Sequence, residues 1–273
     1  MKSVVLWLAA ALALAGCGPR AEVEPGTDGE TEVADPSARA QFPPDKHGEL
    51  VYQGYRVFTQ TPNAARIYTG NRLTCASCHL DAGRKADAAP MWAAFGMYPA
   101  YVSKVDRVVT LEERIQQCFR FSMNGFSPPQ DSHEMRALIA YLQWLAIDRP
   151  IGVEQEGRGF PTIPRTGSDP NPLRGKQVYA QRCASCHGEQ GEGRGYQARE
   201  GTYAAPPVWG FGSFNKGAGM HRTDLLAGFL KANMPLGNAN LTDQEALDVA
   251  AWMGLQERWP DPRKGLLPGL LAN

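Results

Sequence analysis

The pentapeptides Cys75-Ala76-Ser77-Cys78-His79 and Cys183-Ala184-Ser185-Cys186-His187 constrain this chain more than anything else in it. In a C-x-x-C-H unit the two thiols form thioether bonds to a haem and the histidine binds its iron. A dithiol or zinc site would not need a histidine directly after the second cysteine. A haem fills the middle of a small domain and replaces much of its apolar core. Two motifs 108 residues apart therefore predict two haem domains in tandem and two covalently bound haem c groups.

The first residues read as an export signal: Lys2, an apolar run from Val4 to Leu14 too short to span a bilayer, then Leu14-Ala15-Gly16-Cys17. That ending resembles a lipobox, so residues 1–17 are expected to be a lipoprotein-type signal with a lipid anchor on Cys17. Pro19 in place of an aspartate slightly favours the outer membrane of a two-membrane cell. Residues 18–45 carry seven acidic side chains against Arg20 and Arg39 and almost no large apolar ones, so they read as a disordered tether. The rest holds 25 basic and 21 acidic residues, a balance that gives no footing for nucleic-acid binding. Of six cysteines, one is assigned to lipid and four to haem. Cys118 is left without a partner in an oxidising compartment, so it is ligated, buried or reactive.

Residues 46–150 and 172–262 echo each other. Before the first motif, Leu50, Val51, Gly54, Val57 and Phe58 have helical spacing; before the second, Leu173, Val178 and Tyr179 do. The first half closes with a helix beginning at Asp131, with Glu134 in a capping-box relation and an apolar face of Met135, Leu138, Ile139, Leu142 and Leu145. The second closes with a helix from Thr242, with Glu245 in the same relation, burying Ala246, Val249, Ala250 and Met253. A first helix crossing a last helix beside the haem is the layout of small cytochrome c domains. No strand alternation is evident, so the expected fold is all-α, two cytochrome c-like domains in tandem. The Gly- and Pro-rich stretch 151–171 is the expected linker, 188–220 an irregular loop around the second haem, and 263–273 a tail.

His79 and His187 are the proximal iron ligands. For the second haem Met234, in Asn-Met-Pro-Leu-Gly just before the last helix, is the leading distal ligand, with Met220 and His221 as competitors. The first half offers Cys118, Met123, Met91, Met97, His47 and His133. A helix is expected from Thr110, with Glu113 completing a capping box; on it Arg114, Cys118 and Ser122 fall on one face. A thiol between a guanidinium and a hydroxyl is set up to ionise. The alternative is a buried inert Cys118 with Met123 on the iron.

Several blocks now resemble the diheme cytochrome c thiosulfate dehydrogenase family over nearly all of 46–260. They are Asn71-Arg72-Leu73-Thr74 before the first motif and Leu80-Asp81-Ala82-Gly83 after it; Thr110 to Ile115, through Cys118 to Ser122-Met123-Asn124-Gly125; Pro206-Pro207-Val208-Trp209-Gly210; Ser213-Phe214-Asn215 through Gly217-Ala218-Gly219-Met220; and Asn233-Met234-Pro235-Leu236-Gly237. The resemblance implies histidine and cysteine ligands on the active-site haem (His79, Cys118) and histidine and methionine on the exit haem (His187, Met234). It places Arg114 and Ser122 beside bound thiosulfate. At Lys104 the family often has a second pocket arginine; lysine keeps the charge but loses the planar fork, and Arg107 is the alternative clamp. Asn233 stands where some members carry a lysine able to replace the methionine.

The implied reaction joins two thiosulfates into tetrathionate, reversibly, with electrons passing from the first haem to the second and on to a periplasmic redox protein. The resemblance further implies that the Cys118 sulfur carries a sulfane adduct which the second thiosulfate resolves. The rival readings are a non-enzymatic diheme electron carrier and a cysteine-ligated haem subunit of a multi-protein thiosulfate oxidation system.

Overall fold

Five of the six long helices begin where a short polar side chain takes an orphaned backbone N–H. In the computed structural model, which describes residues 36–102, 105–164 and 166–264, six helices of eleven residues or more carry the fold. Helix α1 (Lys46–Thr59) starts at Asp45, whose carboxylate accepts from the Gly48 N–H at 2.7 Å. Helix α2 (Leu111–Phe121) starts at the Thr110/Glu113 capping box expected of it. Helix α3 (His133–Leu145) is capped by Ser132, one residue later than the expected Asp131, because it is the Ser132 hydroxyl that reaches the Met135 N–H at 3.2 Å. Helix α4 (Pro172–Arg182) is capped by Asn171. Helix α5 (Thr223–Asn233) and helix α6 (Asp243–Gly254) complete the set, the last from the Thr242/Glu245 box.

The two halves repeat one packing device. Helix α1 crosses α3, and α4 crosses α6, at glycines where the backbones touch. A Cβ on Gly54 would lie 2.0 Å from the Ala137 carbonyl oxygen, and one on Gly175 would lie 2.0 Å from that of Asp248. Only a hydrogen in place of a side chain permits that approach. Around the first crossing Val51, Phe58, Leu138, Tyr141 and Leu142 form an apolar core; around the second, Tyr179, Val249, Ala250 and Met253 form another. Tyr179, Trp209 and Trp252 pack ring against ring at 4.7–5.0 Å beside the second crossing.

Neither core is built from its own half alone. Phe214 and Ala218 are buried in the first core, and Ala88, with Leu80 against it, in the second. The described residues from Ser37 on accordingly form one compact unit. Part of the expected tether also belongs to the fold: Phe42 is 5% exposed and packs on Tyr52, Tyr55, Tyr141 and Trp144. Residues 1–35, including the expected signal and Cys17, lie outside the described residues, as do Lys104 and 265–273.

The fold is mostly helical, as expected, but two small hairpins were not. Strands β1 (Ala100–Val102) and β2 (Arg107–Val109) pair antiparallel, as do β3 (Arg194–Gln197) and β4 (Thr202–Ala205), the latter inside the stretch expected to be irregular. Three or four residues are too few to show alternation. The linker is likewise ordered by pairing: the N–H groups of Asp87 and Ala89 donate to the Gly157 and Gly159 carbonyls at 2.8 and 2.7 Å. Among the described residues, no helix is long and apolar enough to cross a membrane.

Candidate functional site

Each C-x-x-C-H motif opens into a cavity. At the first, Thr74 and Ser77 exchange reciprocal side-chain-to-backbone bonds that fold Cys75–Ser77 into a tight turn. The Cys75 N–H donates to the Thr61 hydroxyl at 3.1 Å and the His79 N–H to the Cys75 carbonyl at 3.0 Å. His79 Nδ1 lies 2.8 Å from the Ala89 carbonyl oxygen, and His187 Nδ1 lies 2.8 Å from that of Pro206. A carbonyl can only accept, so each Nδ1 carries the proton and each Nε2 keeps its lone pair for a metal. Burial lowers both imidazoles' pKa, which favours this neutral form. Burial also pushes the Cys75 and Cys78 thiols up to about 12.

The Ala89 carbonyl is held in place against local preference. Asp87 and Ala89 adopt φ of +61° and +49°, a left-handed conformation that costs non-glycine residues on the order of 1–2 kcal/mol each. The two bonds to the linker and one from Asn233 Nδ2 to the Asp87 carbonyl, at 2.9 Å, offset it. Asn233 thus reaches from beside Met234 into the loop that orients His79.

The first cavity spans about 690 Å³ including its open mouth, and Cys75, Cys78, His79, Met91, Cys118, Ser122 and Met123 share its wall. The structure brings Cys118 and Met123, the two leading candidates for distal ligand, into the same cavity. Met97 is not in the wall, and His47 and His133 are exposed at helix starts. Arg114 lies next to Cys118, whose charge raises the guanidinium's pKa more than burial lowers it. Its Nη1 donates to Gln117 Oε1 at 3.1 Å, and the Tyr98 hydroxyl accepts from it as well. No periodicity links Tyr98, twenty residues before Cys118, to this site, and the sequence reading missed it. Arg107 is committed elsewhere: it is half-exposed and bridges to Glu113 at 2.8 Å.

The second cavity is larger, about 1640 Å³ including its open mouth. Cys183, Cys186 and His187 line it with both Met234 and Met220, while His221 does not. Leu73, Thr74, Cys78, Phe214 and Met220 belong to both cavities, so the two share a wall. Phe214 and Met220 stand in blocks that carried the resemblance, but nothing in their spacing placed them between the motifs.

Paired thiols, an imidazole presenting a free Nε2 and apolar walls of suitable size are what a c-type haem requires, twice over. Residues 66–151 match the family described as SoxA/TsdA, cytochrome c domain, and residues 173–255 match cytochrome c. Fold and site together define a diheme c-type cytochrome with two covalently bound haems. The thiosulfate dehydrogenase of Stutzerimonas stutzeri (strain A1501) is 47% identical over 229 residues, 84% of this chain and 74% of that protein. That of Thiomonas intermedia (strain K12) is 43% identical over 90% of this chain and 77% of its own. The "as isolated" form of thiosulfate dehydrogenase (TsdBA) from Marichromatium purpuratum superposes with a TM-score of 0.79 at 45% identity. The match covers 84% of this chain and 50% of that one, so this chain spans about half its length. The chain belongs to the thiosulfate dehydrogenase family of diheme cytochrome oxidoreductases.

Proposed function

We propose that this protein oxidises two thiosulfate ions to one tetrathionate, releasing two electrons, with Cys118 as the distal ligand of the first haem. One observation carries the reading: Cys118 shares a cavity wall with Cys75, Cys78 and His79, and Arg114 and Ser122 stand one helical turn to either side of it. A carrier needs no guanidinium beside a thiol.

Two dianions repel unless cations meet them. Arg114, held between Gln117 and Tyr98, offers a preset fork to a sulfonate group, and the Ser122 hydroxyl adds a donor. Because Arg107 is bound to Glu113, we assign the second anion to Lys104. In the proposed sequence the Cys118 thiolate and the outer sulfur of one thiosulfate form an S–S bond, and two electrons leave. The outer sulfur of a second thiosulfate then attacks the sulfane sulfur, tetrathionate departs and Cys118 is again a thiolate. The haems, when bound, supply one-electron acceptors, and the shared wall of Phe214 and Met220 offers a short passage toward the Met234 side. A soluble periplasmic redox protein would collect the electrons there. Export and anchoring through Cys17 complete the reading, and Cys17→Ala should move the protein from the membrane to the soluble fraction.

The test mixes the purified holoprotein with thiosulfate and ferricyanide and measures tetrathionate. Wild type should form it, and Cys118→Ala, loaded with both haems, should not. Normal turnover in that variant would refute the role of Cys118, and a wild type that forms no tetrathionate would reduce the protein to a relay.

A further inference from the structure

An α-helix leaves its last carbonyls without internal partners, and the source of their caps says what holds the helix. At the end of α2 and in the turn that follows, four consecutive carbonyls are taken. Asn215 Nδ2 donates to the Arg120 oxygen at 2.9 Å, and the Asn215 backbone N–H to the Phe121 oxygen at 3.0 Å. Asn71 Nδ2 donates to the Ser122 oxygen at 2.8 Å, and the Gly70 N–H to the Met123 oxygen at 2.8 Å. Two of the four caps come from one residue of the other half.

Asn215 is only 3% exposed, and its Oδ1 accepts from the Gly217 N–H at 2.9 Å. The amide is therefore fixed at both ends, with its donor side toward α2. Two residues earlier, the Ser213 carbonyl accepts from Asn71 at 3.2 Å and from Asn124 at 2.6 Å. Phe214, between them, forms part of both cavity walls. Residues 213–215 thus grip the end of the helix that carries Cys118 and the partition between the haem sites as one piece.

We infer that Asn215 is a positioning residue for Cys118: the second cytochrome domain fixes the Cys118 sulfur over the first haem and so sets how readily it leaves the iron. This rests on the reading of Cys118 as distal ligand. Cys118 lies two residues before the first captured carbonyl, and its own oxygen accepts from the Ser122 and Met123 N–H groups, so loosening the last turn shifts the sulfur directly. A ligand that stays on the metal at rest and is freed for bond formation needs such a stiff support.

The test uses ferric holoprotein with both haems attached. Asn215→Asp keeps the shape and the acceptor for Gly217 but removes the donor to Arg120; Asn215→Ala removes both. Cyanide should displace the Cys118 ligand roughly five- to tenfold faster in either variant, the effect of losing the bond to the Arg120 carbonyl that both lack. The low-spin EPR signal of the first haem should shift while that of the second stays unchanged. Asn215→Gln, which retains both amide functions on a longer stem, should give a rise of about twofold and serves if the others do not load haem. A wild-type EPR spectrum without a thiolate signature defeats the ligand reading itself. A thiolate signature in wild type with unchanged signals and cyanide rates in the variants defeats only the role of Asn215. Failure of all three variants to load haem would make Asn215 a folding determinant and overturn the inference as well.

Discussion

Replacing Gly54 by alanine tests the packing on which the first haem site rests. The added Cβ would lie 2.0 Å from the Ala137 oxygen, 2.6 Å from its carbonyl carbon and 2.7 Å from Tyr141 Cβ. Backbone cannot swing aside, so α1 and α3 must part by roughly 1.4 Å to restore an ordinary contact of 3.4 Å. Overpacking of this kind costs about 1–3 kcal/mol. A gap of 0.5–1 Å elsewhere in the interface forfeits roughly a quarter to a half of each dispersion contact. Alanine's better helix propensity returns only about 1 kcal/mol. With overpacking at the upper end of that range and the lost dispersion offsetting the gain in propensity, the net loss is about 3 kcal/mol, and at about 2–4 °C per kcal/mol for a chain of this size the Tm should fall by roughly 6–12 °C. The disturbance should reach the haem, because Phe58, one turn along α1, packs its ring 6.1 Å from that of His79. Thermal unfolding of the ferric holoprotein, followed by far-UV circular dichroism, reads the stability. Gly254→Ala is the control: at the end of α6 the nearest atom to an added Cβ is Thr223 Oγ1 at 3.9 Å, so this variant should match or slightly exceed wild type. A Gly54→Ala protein that melts with wild type would refute the argument that backbone contact sets this crossing.

Three further outcomes follow from the site and its supports. Arg114→Gln should lower kcat/KM for thiosulfate about 100-fold through loss of charged hydrogen bonds, and Arg114→Lys, which keeps charge without the fork, about tenfold; equal values for the two lysine and glutamine variants in a ferricyanide assay would deny a role to the charge. Asp248 joins α4 to α6: burial raises its pKa, but bonds from Arg174 at 2.6 Å, the Asn171 N–H and Gln244 outweigh that and hold it below the ordinary value. A depressed carboxylate pKa stabilises above its unfolded value, near 4, and that contribution disappears as pH falls through the folded value. Asp248→Asn should therefore cost about 2 kcal/mol at neutral pH, with the gap to wild type closing below about pH 4; a gap in Tm that stays constant down to pH 3 would count against this. Thr110→Ala removes the side-chain cap of α2 and should cost about 1 kcal/mol in chemical unfolding, with little change if the cap is not supporting the helix.

The parts legible in the sequence are those governed by local rules. Capping boxes at Thr110 and Thr242 were found because their partners lie three residues away. Helix faces in α1, α3 and α6 followed from a period set by backbone geometry, and each motif offered its candidate haem thiols and imidazole because those groups sit within five residues. The shift from Asp131 to Ser132 is the size of error expected when two adjacent side chains can both cap. The family blocks added Phe214 and Met220 as members of a pattern, without a reason for them.

What the amino-acid order determined unaided was therefore the chemistry of each centre: which sulfurs and imidazoles can hold a haem, and that Arg114, Cys118 and Ser122 travel on one helical face. Tertiary structure alone decided how the halves complete each other. It put Phe214 and Ala218 in the first core and Ala88 in the second, set Tyr98 against Arg114, and gave the end of the Cys118 helix a cap from Asn215. Such contacts join residues as far as 146 positions apart, where no period or cap reaches. They form because buried carbonyls and apolar faces left unpaired by one half find their partners on the other.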